Sequence, residues 1–394
     1  MTGQESAVDE MEMTDCLSDY QLEAAQALSS GKILVGSVGA GKSRTGLYYY
    51  LMEEYPKILV IITTARKRDT SDWWEEINVF GTEQFTEVII DSWNNIRKYI
   101  HMRDAFFIFD EQRVIGNGAW VKSFYKITKF NNWILLSATP GDTWLDYVPV
   151  FIANGFYRNR TEFIGEHVIY NNYKFRTIDR YIGISKLIKL RESVVVNMRY
   201  QKETTIHERF ITWMEFDKEL FDKVMKHRWN PYENRPIENT AELYFLMRKV
   251  VNSDPSRIKF IQELLTTHPK IIVFYTFNYE RDILLNWAQK ENINMTEWSG
   301  HNHQPIPTDE PWVYIVQYTA GAEGWNCIET NSIVFYSKCY SYRAVVQAAG
   351  RIDRTNTPFN DLFYFYLGSL SWIDIEIQKS HTLKQNFNES HFTV

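Results

Sequence analysis

The chain has 394 residues, long enough for two ordinary domains that each bury a core. Hydrophobic residues make up 44% and charged residues 23%, which excludes a disordered chain, and no apolar run approaches the roughly 18–20 residues of a bilayer span. A formal net charge of −6 excludes wholesale coating of nucleic acid but not a local basic groove, because the local field decides binding.

The N-terminal stretch MTGQESAVDEMEMTD is acidic and has no apolar centre, so it does not read as a secretory leader and is expected to fray. Cys16, Cys327 and Cys339 form no C-x-x-C pair and build no disulfide framework, which points to a reducing, cytoplasmic setting. Aromatic residues are abundant, with 13 Trp and 24 Tyr, and composition assigns them to core before base stacking.

In chain order, the first half carries apolar runs at 32–36, 57–63, 87–90, 106–110 and 133–137, separated by helix-length segments. Short β-rich runs in that rhythm predict a parallel α/β sheet. The second half repeats the texture at 271–275, 313–317, 332–336 and 362–366. Between them, charge and helical periodicity increase, as in FDKELFDKVMK at 216–226. The expectation is two α/β lobes, 1–200 and 201–394, with a helical insertion at about 215–265 opening the second.

Residues 36–43, GSVGAGKS, match G-x-x-x-x-G-K-[ST] directly after the apolar run KILV and before a helix-forming segment. Gly36, Gly39 and Gly41, with Ala40 between the last two, let backbone N–H groups turn towards phosphate oxygens at a helix N-terminus. Lys42 is expected on the β and γ phosphates and Ser43 on Mg²⁺, which makes ATP and Mg²⁺ the expected ligands. FFIFDEQR at 106–113 brings Asp110 and Glu111 to the end of a strand, where ligands of open α/β sheets bind. Asp110 suits metal coordination and Glu111 suits polarising a water. Upstream, the amide of Gln21 has the donor and acceptor that match an adenine edge.

LLSATP at 135–140 places Ser137, Ala138 and Thr139 at the end of a buried run, positioned to couple the phosphate site to the rest of the molecule. The second lobe carries YTAGAEGWN at 318–326 and QAAGRIDR at 347–354. On a helix, Arg351 and Arg354 would share one face and call for an anion.

This ordered set resembles the superfamily 2 helicases over nearly the whole chain. AELYFLMRKVVN at 241–252 is similar to the helical region of Swi/Snf-type members, and SATPGDTW and GRIDRTNTP resemble small DEAD/DEAH-like helicases of tailed bacteriophages. The resemblance implies two RecA-like lobes with a nucleotide cleft between them. It implies that Lys42 and Ser43 bind phosphate and metal, Asp110 holds magnesium, Glu111 orients water and Gln21 recognises adenine. Ser137 and Thr139 would couple hydrolysis to lobe motion, Gly324 would sense nucleotide, and Arg351 and Arg354 would be arginine fingers. DEQR stands where many relatives carry DEAH, and Trp325 is a bulky departure in the second-lobe loop.

The basic segment TTARKRDT at 63–70 makes Arg66 and Lys67 the expected contacts to nucleic-acid phosphates. Trp93 and Tyr279 occupy post-strand positions where an aromatic can stack on a base. His301 and His303 lack further ligands nearby, so a loop is expected there and no metal site. The expected activity is that of a monomeric ATP-dependent DNA helicase or translocase acting on single-stranded, duplex or forked DNA. It would work in replication or recombination, with partner proteins of those processes and, if phage-encoded, in a bacterial host. The alternatives are duplex translocation without strand separation, action on RNA, and a nucleotide-dependent recruiter.

Overall fold

A computed structural model describes residues 13–111, 114–171, 178–199, 205–321, 327–354 and 357–389. Arg113, Gly324 and Trp325 lie outside the described residues.

The apolar runs of the first half become strands buried on both faces. They are β1 (Ile33–Val35), β2 (Ile58–Thr63), β3 (Val88–Ser92), β4 (Ala105–Asp110) and β5 (Asn132–Ser137). Side chains alternate across a strand, so a sheet covered on both sides needs continuous apolar sequence. In β4, Phe107 and Phe109 enter one core cluster with Val60, Trp133 and Leu135. Phe106 and Ile108 enter the other, with Leu59, Ile134 and Leu136. A small antiparallel hairpin, β6 (Val168–Tyr170) and β7 (Ile178–Tyr181), and a short strand β8 (Val195–Asn197) complete the unit. The six-stranded sheet has the order β3-β2-β4-β5-β1-β8, with every pair parallel.

The second half builds a second parallel sheet. Its strands are β9 (Ile206–Met214), β12 (Lys270–Tyr275), β13 (Asn294–Trp298), β14 (Trp312–Gln317), β15 (Ser332–Phe335) and β16 (Asp361–Ser369), in the order β13-β14-β12-β15-β16-β9. All its pairs are parallel. A two-stranded ribbon, β10 (Trp229–Asn230) with β11 (Arg235–Pro236), lies between β9 and β12 in sequence. The protein is therefore α/β, with two RecA-like sheets flanked by helices. Chain contacts group it into two compact units, Met1–Gln201 and Lys202–Gln385.

The expected helical insertion is present as helices Lys218–His227, Thr240–Asn252 and Pro255–Leu264. Its first two pack Phe221, Val224, Leu246 and Val250 against Ile373 and Ile377 of the C-terminal helix. The third is anchored by the wholly buried Arg257, which donates to the carbonyls of Tyr336 and Leu367 and lies 3.7 Å from the buried Asp374. His303 stacks on Trp298 with ring centroids 4.3 Å apart, and no cluster of three or more His, Cys, Asp or Glu that could hold a metal ion occurs among the described residues. Among them too, no helix is long and apolar enough to cross a membrane.

Glu280 pins the second sheet together. It is fully buried on the helix Asn278–Glu291. One carboxylate oxygen accepts from the Thr276 and Phe277 amides at 2.7 and 3.2 Å and from the Ser337 hydroxyl at 3.0 Å. The other accepts from Asn252 Nδ2 at 2.8 Å and the Tyr279 hydroxyl at 3.3 Å. Removing an acceptor from buried donors costs more than the bonds were worth. Glu280→Ala should destabilise the second unit by about 3–5 kcal/mol, read as an earlier denaturant midpoint for that unit. Glu280→Gln, which keeps one of the two acceptor oxygens, should cost less than the alanine.

Candidate nucleotide site

β1 feeds the glycine loop, and the register sets what surrounds it. Val35 is aligned with Ser137 of β5 and with Asn197 of β8, while Asp110 of β4 aligns with Leu136. The ends of β1, β4 and β5 thus open on one edge, the C-terminal edge where such sheets hold ligands. The Gly36 amide donates to the Ser137 carbonyl at 3.2 Å, tying the start of the loop to β5.

The loop needs its glycines for stated reasons. Gly39 and Gly41 have φ of 85° and 75°, in the left-handed region that disfavours a Cβ. Gly41 is the N-cap of the helix Lys42–Tyr49, and a Cβ there would lie 2.0 Å from Gln21 Nε2. Gln21 packs that tightly because its Nε2 donates to the Ala40 carbonyl at 3.3 Å while its Oε1 accepts from the Ser18 amide at 2.9 Å. The Tyr20 hydroxyl reaches the same Ala40 carbonyl, also at 3.3 Å. Gln21, expected to read adenine, is therefore a brace for the phosphate loop, with both ends of its amide engaged in the chain. Lys42 Nζ donates to the carbonyls of Gly36 at 2.9 Å and Ser37 at 2.8 Å, so its ammonium lies across the loop. Ser43 is half-buried in the first helical turn beside it.

Asp110 is 2% exposed at the end of β4. Its Oδ2 accepts from the Thr63 hydroxyl at 2.7 Å and from Lys67 Nζ at 2.9 Å, both from the end of β2 or the turn after it. Its carbonyl accepts from Trp93 Nε1 at 2.9 Å. Burial alone would lower the Lys67 pKa, but the charges of Asp110 and Glu111 outweigh it and hold the ammonium above its ordinary value. Glu111 follows with φ of 61°. Such a backbone is uncommon outside glycine, and strain of this kind clusters at functional positions.

Ser137 is wholly buried and its Oγ accepts from the Thr139 amide at 3.1 Å, with Ala138 half-buried between them. The Thr139 hydroxyl is buried and has no hydrogen-bond partner among the described residues. A buried hydroxyl in that state is a place where a changed arrangement gains a bond.

In the second unit the helix Tyr342–Ala349 stops at Gly350. Arg351 and Arg354 lie beyond it in a turn, so the expectation that they share a helix face is corrected: the Arg351 amide bonds to Ala348 and the Arg354 amide to Ile352. The Arg351 carbonyl accepts from the Cys327 amide at 3.1 Å, which fixes this turn beside the chain that follows the second-lobe loop. Gly324, in that loop, lies outside the described residues.

Of the expected nucleic-acid contacts, Arg66 is half-buried on the short helix Ala65–Asp69. Lys67, on the same helix, has its ammonium on Asp110. Trp93 is a correction. It is 2% exposed and stacked on Phe109 with centroids 5.5 Å apart, so it presents no face to a base. Tyr279 stacks on Phe277 at 5.3 Å and serves the Glu280 network. The sequence reading missed Thr63 and Tyr20. A hydroxyl at the end of β2 becomes a candidate only once β2 is known to neighbour β4.

The oxygen donors Ser43 and Asp110 suit a hard divalent cation such as Mg²⁺. Asp110 already holds one cation, the Lys67 ammonium, on an oxygen fixed by Thr63. The residues fit the ion.

No family model and no curated protein matches this chain. Among solved structures, it is similar to the Sulfolobus solfataricus SWI2/SNF2 ATPase core in complex with dsDNA, at 13% identity and a TM-score of 0.43, with 95% of this chain and 92% of that one covered.

Gly41→Ala adds a left-handed penalty and a clash with Gln21, so it should weaken any binding of ATP by this loop more than about tenfold in a fluorescence titration. Gln21→Ala, which loosens the loop without blocking it, should lose less.

Proposed function

We propose that the protein is an ATP-dependent DNA translocase or helicase. The observation that carries the nucleotide part is the convergence of the GSVGAGKS loop and the Asp110–Glu111 pair at the C-terminal edge of one parallel sheet. Phosphoryl transfer needs positioning and charge stabilisation more than covalent help. Loop amides and Lys42 would cradle the phosphates, and Glu111 would orient the attacking water. Mg²⁺ held by Ser43 and Asp110 would neutralise phosphate charge. Arg351 and Arg354, from the second lobe, would supply the remaining positive charge at the transferring phosphoryl group. The Ser137–Thr139 segment, bonded through Ser137 to the loop, would report its state to the rest of the lobe.

DNA as the partner is supported by the second RecA-like sheet, which a simple nucleotide-binding protein has no need of, and by the basic helix Ala65–Asp69 at the same sheet edge. If the second lobe supplies the arginine, turnover becomes conditional on both lobes. DNA that engages both would impose that condition, and replication or recombination is the setting this serves.

The test compares ATP turnover with no nucleic acid, single-stranded DNA, duplex and fork. DNA should stimulate the wild type, and Glu111→Gln should lower the rate at least about a hundredfold while ATP still binds. Arg351→Ala should cost about 10³ in rate with ATP affinity preserved. A wild type indifferent to nucleic acid and matched by Glu111→Gln would refute the motor. A strand-displacement assay then separates a helicase from a duplex translocase.

A further inference from the structure

The sequence assigns Lys67 to a DNA phosphate and Asp110 to a metal ion, yet the two side chains meet at 2.9 Å. We propose that Lys67 is the nucleic-acid sensor of the cation site: its ammonium rests on Asp110 Oδ2 until a DNA backbone phosphate draws it away, so that bound DNA raises the affinity of the site for Mg²⁺. This rests on the reading of Asp110 and of DNA as partner given above.

The geometry decides which partner moves. Asp110 is held from several directions, by the Thr63 hydroxyl on Oδ2 and by the Trp93 indole on its carbonyl. Thr63 and Trp93 are themselves buried in the first lobe. The Lys67 side chain is 27% exposed against 3% for that of Asp110, and it stands on a flexible four-carbon stem. The Lys67 amide is tied to Thr64 Oγ1 at 3.3 Å, so the helix stays in place while the side chain swings. Arg66 and Arg68 flank it on the same turn; Arg68 is paired with Asp69 at 2.6 Å and lies 3.7 Å from Asp91, so Arg66 and the released Lys67 are the groups offered to a polyanion.

Competition follows from charge. An ammonium and a divalent cation cannot share one carboxylate oxygen without strong repulsion. A phosphate gives the ammonium an equivalent charge-assisted partner outside the carboxylate. The nucleic acid therefore needs no direct path to the nucleotide, because one side chain belongs to both sites in turn.

The experiment titrates Mg²⁺ into the full chain with a fluorescent, non-hydrolysable ATP analogue, with and without a short DNA duplex at fixed ionic strength. It reads the Mg²⁺ concentration at half-saturation, which is binding and not turnover. For the wild type, duplex should lower that midpoint about tenfold. In Lys67→Met the midpoint should already be low without duplex, and duplex should no longer move it. Lys67→Arg should keep a duplex-dependent shift. Lys67→Gln, which retains a hydrogen bond to Asp110 without the charge, should behave as Lys67→Met does and carries the test if that variant melts early.

A Lys67→Met protein with the wild-type midpoint and the full shift would overturn the proposal, as would a wild type that binds duplex with no shift. A wild type that binds neither analogue nor duplex would instead refute the proposed function.

Discussion

A carboxylate buried at the end of a strand has to be paired, and Asp110 is paired with a cation. Its Oδ2 holds Lys67 Nζ at 2.9 Å and the Thr63 hydroxyl at 2.7 Å. That one group ties β4 to β2, fixes the turn after β2, and sets the charge of the edge where the glycine loop opens. An isolated ionised carboxylate there would be costly, and the Lys67 ammonium together with the Thr63 hydroxyl offsets that cost. The chemistry proposed for the protein reduces to which cation it is. On the proposal above, ammonium and magnesium would compete for this carboxylate, and nucleic acid would act on that competition.

The loop obeys a second constraint, imposed from the backbone. Gly41 must be left-handed to begin the helix, and the space a Cβ would need is filled by Gln21. Tyr20 and Gln21 both hold the Ala40 carbonyl, so the N-terminal helix Asp19–Ala27 buttresses the loop from behind. Gln21 thus shapes the glycine loop through the Ala40 carbonyl and Gly41.

The parallel sheets were legible because their strands are buried on both faces and read as continuous apolar runs, such as AFFIFD in β4 and WVYIVQ in β14. β9 was not legible: IHERFITWM mixes apolar and charged residues with no clean alternation and is exposed over most of its length at the sheet edge. β8 is three residues directly after a helix, too short for any period to register. The turn at the glycine loop and the place of Asp110 and Glu111 at the end of β4 were legible from local spacing, since backbone geometry is written locally. The Lys67–Asp110 pair and the Thr63 contact depend on strand order, which spacing along the chain does not encode. Trp93 misled for the same reason: its position after β3 looked open until Phe109 of β4 was seen to pack against it. The helical spacing of Arg351 and Arg354 failed because the helix ends at Ala349, capped by Gly350, before it reaches either arginine.

The central claim is that DNA and nucleotide sites are energetically coupled through the cation position, and coupling between binding sites is reciprocal. The most direct measurement is duplex affinity by titration calorimetry at constant ionic strength, with and without a saturating magnesium complex of a non-hydrolysable ATP analogue. The account predicts tighter duplex binding with nucleotide present, by the same factor by which duplex tightens the nucleotide complex. Identical duplex affinities in the two conditions would contradict it.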